Sequence, residues 1–107
     1  MSAPVVLRIA LPVPLRRLFD YLPPADTDPA VLQPGLRVRV PFGRQQLTGV
    51  LVDIAADSPF TLAKLKPALA VLDAEPPLPP VLFDLVRWAA DYYQHPLGEV
   101  LAAVLPA

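Results

Sequence analysis

Prolines divide this chain into short segments. There are 16 prolines among 107 residues, and a proline inside a helix removes a backbone hydrogen bond and clashes with the preceding turn. A long helix therefore cannot run through most of the chain. The aliphatic runs between the prolines are sufficient for one modest core, so short strands with stiff joints in a single domain are expected.

The segment GLRVRVPFG at residues 35–43 has the clearest pattern. Leu36, Val38 and Val40 alternate with Arg37 and Arg39, and a period of two places the aliphatic side chains on one face and both guanidinium groups on the other. The pattern predicts a half-buried strand with a basic outer face. That face suits an anionic partner such as nucleic acid. The alternative is an edge strand whose arginines only keep it soluble and unpaired.

The end of this strand predicts a hairpin. Pro41 must end the strand or lie at a sheet edge, because it cannot donate to a ladder. Gly43 permits either a backbone geometry or a close approach that a Cβ would block. A loop of about six residues is expected to lead into a longer strand at residues 47–54.

The remaining segments complete an α+β prediction. Apolar runs predict further strands at residues 5–11, 18–22 and 65–72, and this spacing is typical of a small barrel. The expected architecture is a small, mostly antiparallel β-barrel over about residues 4–74 and a helical part at 81–105. A proline-rich hinge, EPPLPP at 75–80, separates the two parts.

The first expected helix, from residue 80 to about 94, has a wide apolar stripe. Trp88 and Tyr92 lie on a face adjacent to the main stripe, so we expect the helix to pack between two surfaces. An alternative function follows, in which Trp88, Tyr92 and the EPPLPP segment dock a protein partner or another domain.

Charge and missing motifs exclude several classes of protein. The net charge is −1, which does not indicate non-specific coating of a duplex, but residues 1–50 carry +3 and residues 51–107 carry −4. There is no cysteine, and neither a phosphate-binding loop nor a hydrolase motif is present. We expect no enzyme activity, no cofactor, no membrane segment and a cytoplasmic location.

Two short clusters are candidate binding groups. In the extended segment LFDYL, Asp20 lies between apolar neighbours and needs hydrogen-bond donors. These are either amides of the following proline-rich turn or a ligand group such as a sugar hydroxyl, with an aromatic neighbour stacking on a base. Lys64 and Lys66 flank Leu65 and either form a solvated face or hold a phosphate.

Four segments together resemble a known family. They are ALPVPLRRLFDYLPP from residue 10, GLRVRVPFGRQQLTGVLVD from 35, LKPALAVLDAEP from 65 and WAADYYQHPLGEVLAAVLP from 88. In order and spacing they are similar to the N-terminal domain of the bacterial primosomal protein N′ (PriA) family of replication-restart helicases. The resemblance implies a 3′ DNA-binding module that seats the 3′-hydroxyl end of the nascent leading strand at a stalled fork or D-loop. It also implies that ATP, magnesium and zinc belong to a helicase region outside this chain.

The resemblance also implies site residues. The pocket for the DNA 3′ end falls on Phe19, Asp20, Gly43 and Lys66. Contacts with the DNA backbone are expected from a second group: Tyr21, Arg37, Arg39, Arg44 and Lys64. The family often has lysine where Arg44 stands, and a glutamate or similar polar residue where Lys64 stands. Expected partners are DNA with a free 3′ end, other domains of the same polypeptide, primosome proteins and single-stranded-DNA-binding protein.

Overall fold

The computed structural model describes residues 5–60 and 62–105. It contains strands β1 and β2, the hairpin strands β3 and β4, a short β5, and helices α1 and α2. Their bounds are Val6–Ala10 (β1), Phe19–Tyr21 (β2), Arg37–Phe42 (β3), Gln45–Ala55 (β4), Ala70–Val71 (β5), Pro80–Tyr92 (α1) and Leu97–Val104 (α2). Two 3₁₀ turns lie at Pro29–Val31 and Leu62–Lys64. The α+β class is confirmed.

Within the described residues the strands form one antiparallel sheet in the order β2-β1-β4-β3-β5. This sheet is not closed, so a barrel is not confirmed. A single parallel bridge links Leu22, just after β2, to Pro67, just before β5. At this bridge the Leu22 amide donates to the Lys66 carbonyl at 3.0 Å, and the Ala68 amide donates to the Leu22 carbonyl at 2.8 Å.

The hairpin between β3 and β4 is tighter than the sequence predicts. Its loop has two residues, Gly43 and Arg44, and Pro41 remains in β3 opposite Gln46. Gly43 has a φ of 60°, and a positive φ at the first of two loop residues is typical of a type II′ turn, which favours glycine there. Pro41 is tolerated because β5 pairs with β3 only at Val38 and Arg39, so no hydrogen bond of that ladder requires an amide at residue 41.

The two faces of the sheet carry separate apolar clusters. The alternation predicted for β3 is confirmed, since Val38 and Val40 are buried while Arg39 is exposed. One face packs against the loops, with members including Leu7, Ile9, Leu11, Tyr21, Leu32, Val38, Val40, Leu51 and Ala68. The helices cover part of the other face, with Ala10, Val50, Val52, Phe83 and Leu101 at its centre.

Two expectations for the second half of the chain are wrong. The strand expected over residues 65–72 is reduced to the two residues of β5, because the preceding segment turns at the 3₁₀ helix and passes through Pro67. Helix α1 is not packed between two surfaces: it buries only Phe83 and Ala90, and Trp88 and Tyr92 are 60% and 65% exposed.

Helix α2 approaches β1 through a glycine. A Cβ placed on Gly98 would overlap the backbone of Leu11, including its carbonyl oxygen. Because a backbone atom in a packed strand region cannot move aside as a flexible side chain can, only glycine allows this approach.

We therefore expect Gly98→Ala to lower the free energy of unfolding by about 3 kcal/mol or more. The control is Gly43→Ala, where the new Cβ meets no atom within 4 Å and only the positive φ is unfavourable, so about 1 kcal/mol should be lost. Urea denaturation measures both. Equal losses would show that the approach of α2 is not the constraint.

An ion pair joins β3 to the segment after β5. The Arg37 Nε and Nη2 atoms donate to Asp73 Oδ2 and Oδ1 at 2.9 and 2.8 Å, and the Arg37 amide also donates to Oδ2 at 3.0 Å. The Asp73 side chain is only 10% exposed. Hydrogen bonding from the Arg37 side chain lowers the pKa of Asp73, and burial opposes this shift.

A lowered pKa in the folded state means that the carboxylate stabilises the fold above its unfolded pKa of about 4, and that this stability is lost as the pH falls through the lower folded value. We expect Asp73→Asn to cost about 1–2 kcal/mol at pH 7 and progressively less below pH 4. Denaturation across pH, with the exposed Asp57→Asn as control, measures the difference. A cost independent of pH would contradict a role for the charge.

Candidate nucleic-acid interface

One cavity of about 290 Å³ brings together three segments that are distant in sequence. It lies where β2, the end of β3 and the segment between β4 and β5 meet, and we call it the end cavity. Its lining comprises Arg17, Phe19, Asp20, Tyr21, Pro41, Phe42, Gly43, Phe60, Lys64, Leu65 and Lys66. All four residues expected at the DNA 3′ end are therefore among its lining residues, together with Tyr21 and Lys64.

Aromatic rings form one wall of the end cavity. Phe19 and Phe42 pack edge to face, with centroids 5.5 Å apart and an interplanar angle of 85°. The guanidinium carbon of Arg17 lies 4.6 Å from the centroid of Phe19, in a cation–π contact. Phe60, from the loop after β4, is 51% exposed and adds a fourth aromatic ring to the lining, after Phe19, Tyr21 and Phe42. The cavity thus offers both apolar surface and a cation.

Asp20 is held by a serine and not by the proline-rich turn. The Ser58 hydroxyl donates to Asp20 Oδ2 at 2.6 Å, and the Phe60 amide donates to the Ser58 oxygen at 3.2 Å. The half-buried carboxylate is oriented in this way while its Oδ1 has no hydrogen-bond partner among the described residues. One oxygen is therefore left to accept a hydrogen bond from a ligand.

Tyr21 fixes the spacing of the cavity walls. Its hydroxyl donates to the Pro41 carbonyl at 2.7 Å, which connects β2 to the end of β3. Burial raises the pKa of Tyr21, and its side chain is almost inaccessible, with 7% relative exposure. The bond joins the strand that carries Phe19 to the strand that carries Phe42, and the expected contact of Tyr21 with the DNA backbone stays a prediction.

Lysines supply the charge of the end cavity. Lys64 ends the 3₁₀ turn and Lys66 follows two residues later, both with exposed side chains. The backbone carbonyl of Lys66 accepts from the Leu22 amide, so the segment is fixed beside β2. With Arg17, the lining carries three cations against the one carboxylate of Asp20, which favours an anionic ligand.

The other arginines expected to contact DNA lie elsewhere. Arg37 and Arg39 line a separate cavity of about 480 Å³ between the sheet and α2, and the Arg37 guanidinium is bonded to Asp73. Arg44 is exposed at the tip of the hairpin and does not line the end cavity. Their contacts with DNA stay predictions.

Gly43 is explained by the turn. Its φ of 60° requires the left-handed region, which glycine adopts without steric cost, whereas a Cβ would meet open space. Of the two roles that the sequence leaves open, backbone geometry accounts for the glycine, and its position in the lining follows from the tight hairpin.

Sequence reasoning missed four residues of this site: Arg17, Phe42, Ser58 and Phe60. Arg17 and Phe42 stand beside motif residues, and their pattern alone does not show that they meet across strands. Ser58 and Phe60 arrive from a loop whose path depends on tertiary packing, and no local signal marks them.

Comparison with known proteins shows the family of the chain. Residues 8–106 match the family model described as the 3′ DNA-binding domain (3′BD) of PriA, so the chain belongs to this family of DNA-binding domains. Among curated proteins it is similar to the replication restart protein PriA of Haemophilus influenzae, with 46% identity over 94% of the chain. It is also 30% identical to the protein of the same name from Rickettsia conorii, again over 94% of the chain.

The chain matches only a small part of these relatives. It spans 13% of the length of the Haemophilus protein and 15% of the Rickettsia protein. In the part of the chain that the structure describes, neither helix is long and apolar enough to cross a membrane.

Proposed function

We propose that this chain binds DNA and seats the 3′-hydroxyl end of a strand in the end cavity. The observation that carries the proposal is that Phe19, Asp20, Gly43 and Lys66, from three separate segments, line one cavity. The names of the relatives assign them to replication restart. In that context the ligand is the nascent strand end at a stalled fork or D-loop.

The carboxylate of Asp20 provides discrimination between strand ends. Its Oδ2 atom is occupied by the Ser58 hydroxyl, so Oδ1 accepts a hydrogen bond from a terminal 3′-hydroxyl. A terminal phosphate has negative charge at the same place and is repelled by the carboxylate. The half-buried position of Asp20 strengthens both effects, because water screens the interaction less there.

The remaining lining groups bind without reading sequence. Phe19 and Phe60 offer aromatic surface to the last base, and stacking of this kind tolerates every base. Lys64 and Lys66 neutralise phosphates near the end, and phosphate contacts carry no sequence information. The site therefore recognises an end and not a base order, as a protein acting at any stalled fork requires.

No catalytic step is assigned to this chain. The function proposed for it is binding alone. A helicase activity, with its ATP, magnesium and zinc, is proposed only for the remaining length of a PriA polypeptide.

We expect wild-type protein to bind an oligonucleotide ending in a 3′-hydroxyl about tenfold more tightly than the same oligonucleotide ending in a 3′-phosphate, the ratio expected for one hydrogen bond to a charged group. Asp20→Asn should lower this ratio, because it removes the charge that repels the phosphate and leaves only a neutral oxygen to accept from the hydroxyl. Fluorescence anisotropy with matched oligonucleotides measures it. The control is Asp26→Asn, an exposed acid outside the cavity. Equal affinity of wild-type protein for both ends would refute the proposal.

A second proposed function is docking through α1. Val81, Leu85, Trp88 and Tyr92 recur along one face of the helix and are 55% to 82% exposed. The rings of Trp88 and Tyr92 stack with centroids 5.1 Å apart. An apolar face of this kind on a chain that spans about an eighth of its relatives' length suits the remainder of a PriA polypeptide as its occupant.

We expect Trp88→Ala to change the melting temperature of the isolated chain by less than about 2 °C, because the side chain packs on little of this domain. In a polypeptide of the relatives' length, the same change should lower the melting temperature of this domain by a clearly larger amount. Differential scanning calorimetry on both forms tests this. Leu101→Ala, which removes a buried side chain, should destabilise both forms alike. Equal small effects of Trp88→Ala would rule out this occupant.

A further inference from the structure

A second cationic cavity lies beside the end cavity. Its volume is about 280 Å³, and its lining combines the segment before β2 with the second half of α1 and the start of α2. The charged or titratable residues in this lining are Arg16, Arg17, Arg87, Asp91 and His95. We call it the arginine cavity, because three arginines are among its lining residues.

The two cavities share a residue. Arg17 lines the arginine cavity and also the end cavity, where it lies over the ring of Phe19. The cations therefore follow one another from Lys64 and Lys66, through Arg17, to Arg16 and Arg87. A ligand that fills the end cavity and continues beyond it can meet basic groups along its length.

The guanidinium groups of the arginine cavity are weakly neutralised. The contact between Arg16 Nη2 and Asp91 Oδ1 is 3.9 Å long, and these side chains are 48% and 89% exposed. Exposed pairs of this length contribute little. Within residues 5–60 and 62–105, the contact recorded for the Arg87 guanidinium is a long one with the ring of Phe83, at 6.0 Å. Three cations thus face one carboxylate, and the guanidinium forks keep their donors for an anion.

We propose that the arginine cavity holds phosphodiester groups of the same strand whose 3′ end occupies the end cavity. This inference rests on the proposed function, because the strand end fixes where the strand leaves. Phosphate is favoured over a peptide carboxylate as the ligand, because the shared Arg17 makes the arginine cavity continuous with a site for a polynucleotide. Arginine also binds phosphate through two parallel hydrogen bonds.

A strand on the proposed path does not reach Arg39, so this proposal replaces the contact between Arg39 and the DNA backbone that the sequence suggests. Arg39 is exposed between the sheet and α2 and lines neither the end cavity nor the arginine cavity. This separation provides a matched control, since Arg39→Gln and Arg87→Gln remove the same charge from two different places. A general electrostatic effect weakens binding equally in both, whereas a defined path for the strand does not.

The test compares two ligands: a thymidine dinucleotide, which has one internucleotide phosphate, and a 12-nucleotide single strand. Each ligand is prepared with a 3′-hydroxyl end and, for comparison, with a 3′-phosphate end. We expect Arg87→Gln and Arg16→Gln each to weaken binding of the 12-mer about three- to tenfold. Each should also lower the slope of log K against log salt by about 0.7, the value for one phosphate contact on a single strand. Binding of the dinucleotide should not change, because neither residue lines the end cavity.

Removing the competing carboxylate should act in the opposite direction. We expect Asp91→Asn to strengthen binding of the 12-mer about twofold and to leave the dinucleotide unchanged. Circular dichroism and thermal unfolding check each variant, and two arginine variants are used so that one altered fold does not decide the result.

The outcomes separate the two proposals. If the dinucleotide prefers the hydroxyl end through Asp20 but Arg16→Gln and Arg87→Gln leave the 12-mer unaffected, the arginine cavity is overturned and the end cavity stands. Equal weakening by Arg39→Gln also overturns the arginine cavity. If the dinucleotide shows no preference for a hydroxyl end while the arginine variants still weaken the 12-mer, the end cavity fails instead. An acidic peptide that binds the arginine cavity without competing with DNA would assign it to protein.

Discussion

The candidate site depends on a pair of backbone hydrogen bonds at the bridge between Leu22 and Pro67. The bridge fixes a segment with little regular structure against the outer edge of β2. Without it, Lys64 and Lys66 would lie on a loop with no defined position relative to Asp20. Proline is compatible with position 67, because the two hydrogen bonds of the bridge use the Lys66 carbonyl and the Ala68 amide and need no amide donor at residue 67 itself. The restricted backbone at Pro67 therefore helps to position Lys64 and Lys66.

Side-chain hydrogen bonds then set the shape of the cavity. Tyr21 connects β2 to the carbonyl of Pro41, and Ser58 orients the carboxylate of Asp20. Both bonds join residues that are 20 or more positions apart in the sequence. The cavity is thus a product of tertiary contacts between strand ends and a loop, built on the sheet but not within it.

Much of the fold follows from local patterns. The strict alternation of β3 and the helical part at 81–105 could be predicted from the sequence, because each depends on neighbours in the chain. The long β4 extended further than its apolar run, since the two glutamines before it pair with β3 although they bury little. The strand expected after Lys64 failed because hydrophobicity alone does not distinguish a strand from a short bridging segment. Whether the sheet closes depends on pairing between distant edges, which no local pattern encodes.

Only part of the candidate site could be predicted from the sequence. Aspartate between aromatic neighbours and the glycine hairpin are local signals, and family resemblance joined them to a lysine far along the chain. Ser58 and Phe60 escaped because their contribution depends on how a loop returns to the sheet. The arginines of β3 line a separate cavity beside α2, and their expected contacts with DNA stay predictions.

For the binding proposed above, the position of Arg17 over the ring of Phe19 has a kinetic consequence. While the guanidinium covers that side of the ring, an arriving base cannot use it. A phosphate that draws Arg17 away uncovers the aromatic surface, so capture of the backbone precedes stacking of the terminal base. Long-range attraction would then govern how quickly a strand arrives, and the fit of its last nucleotide would govern how long it stays.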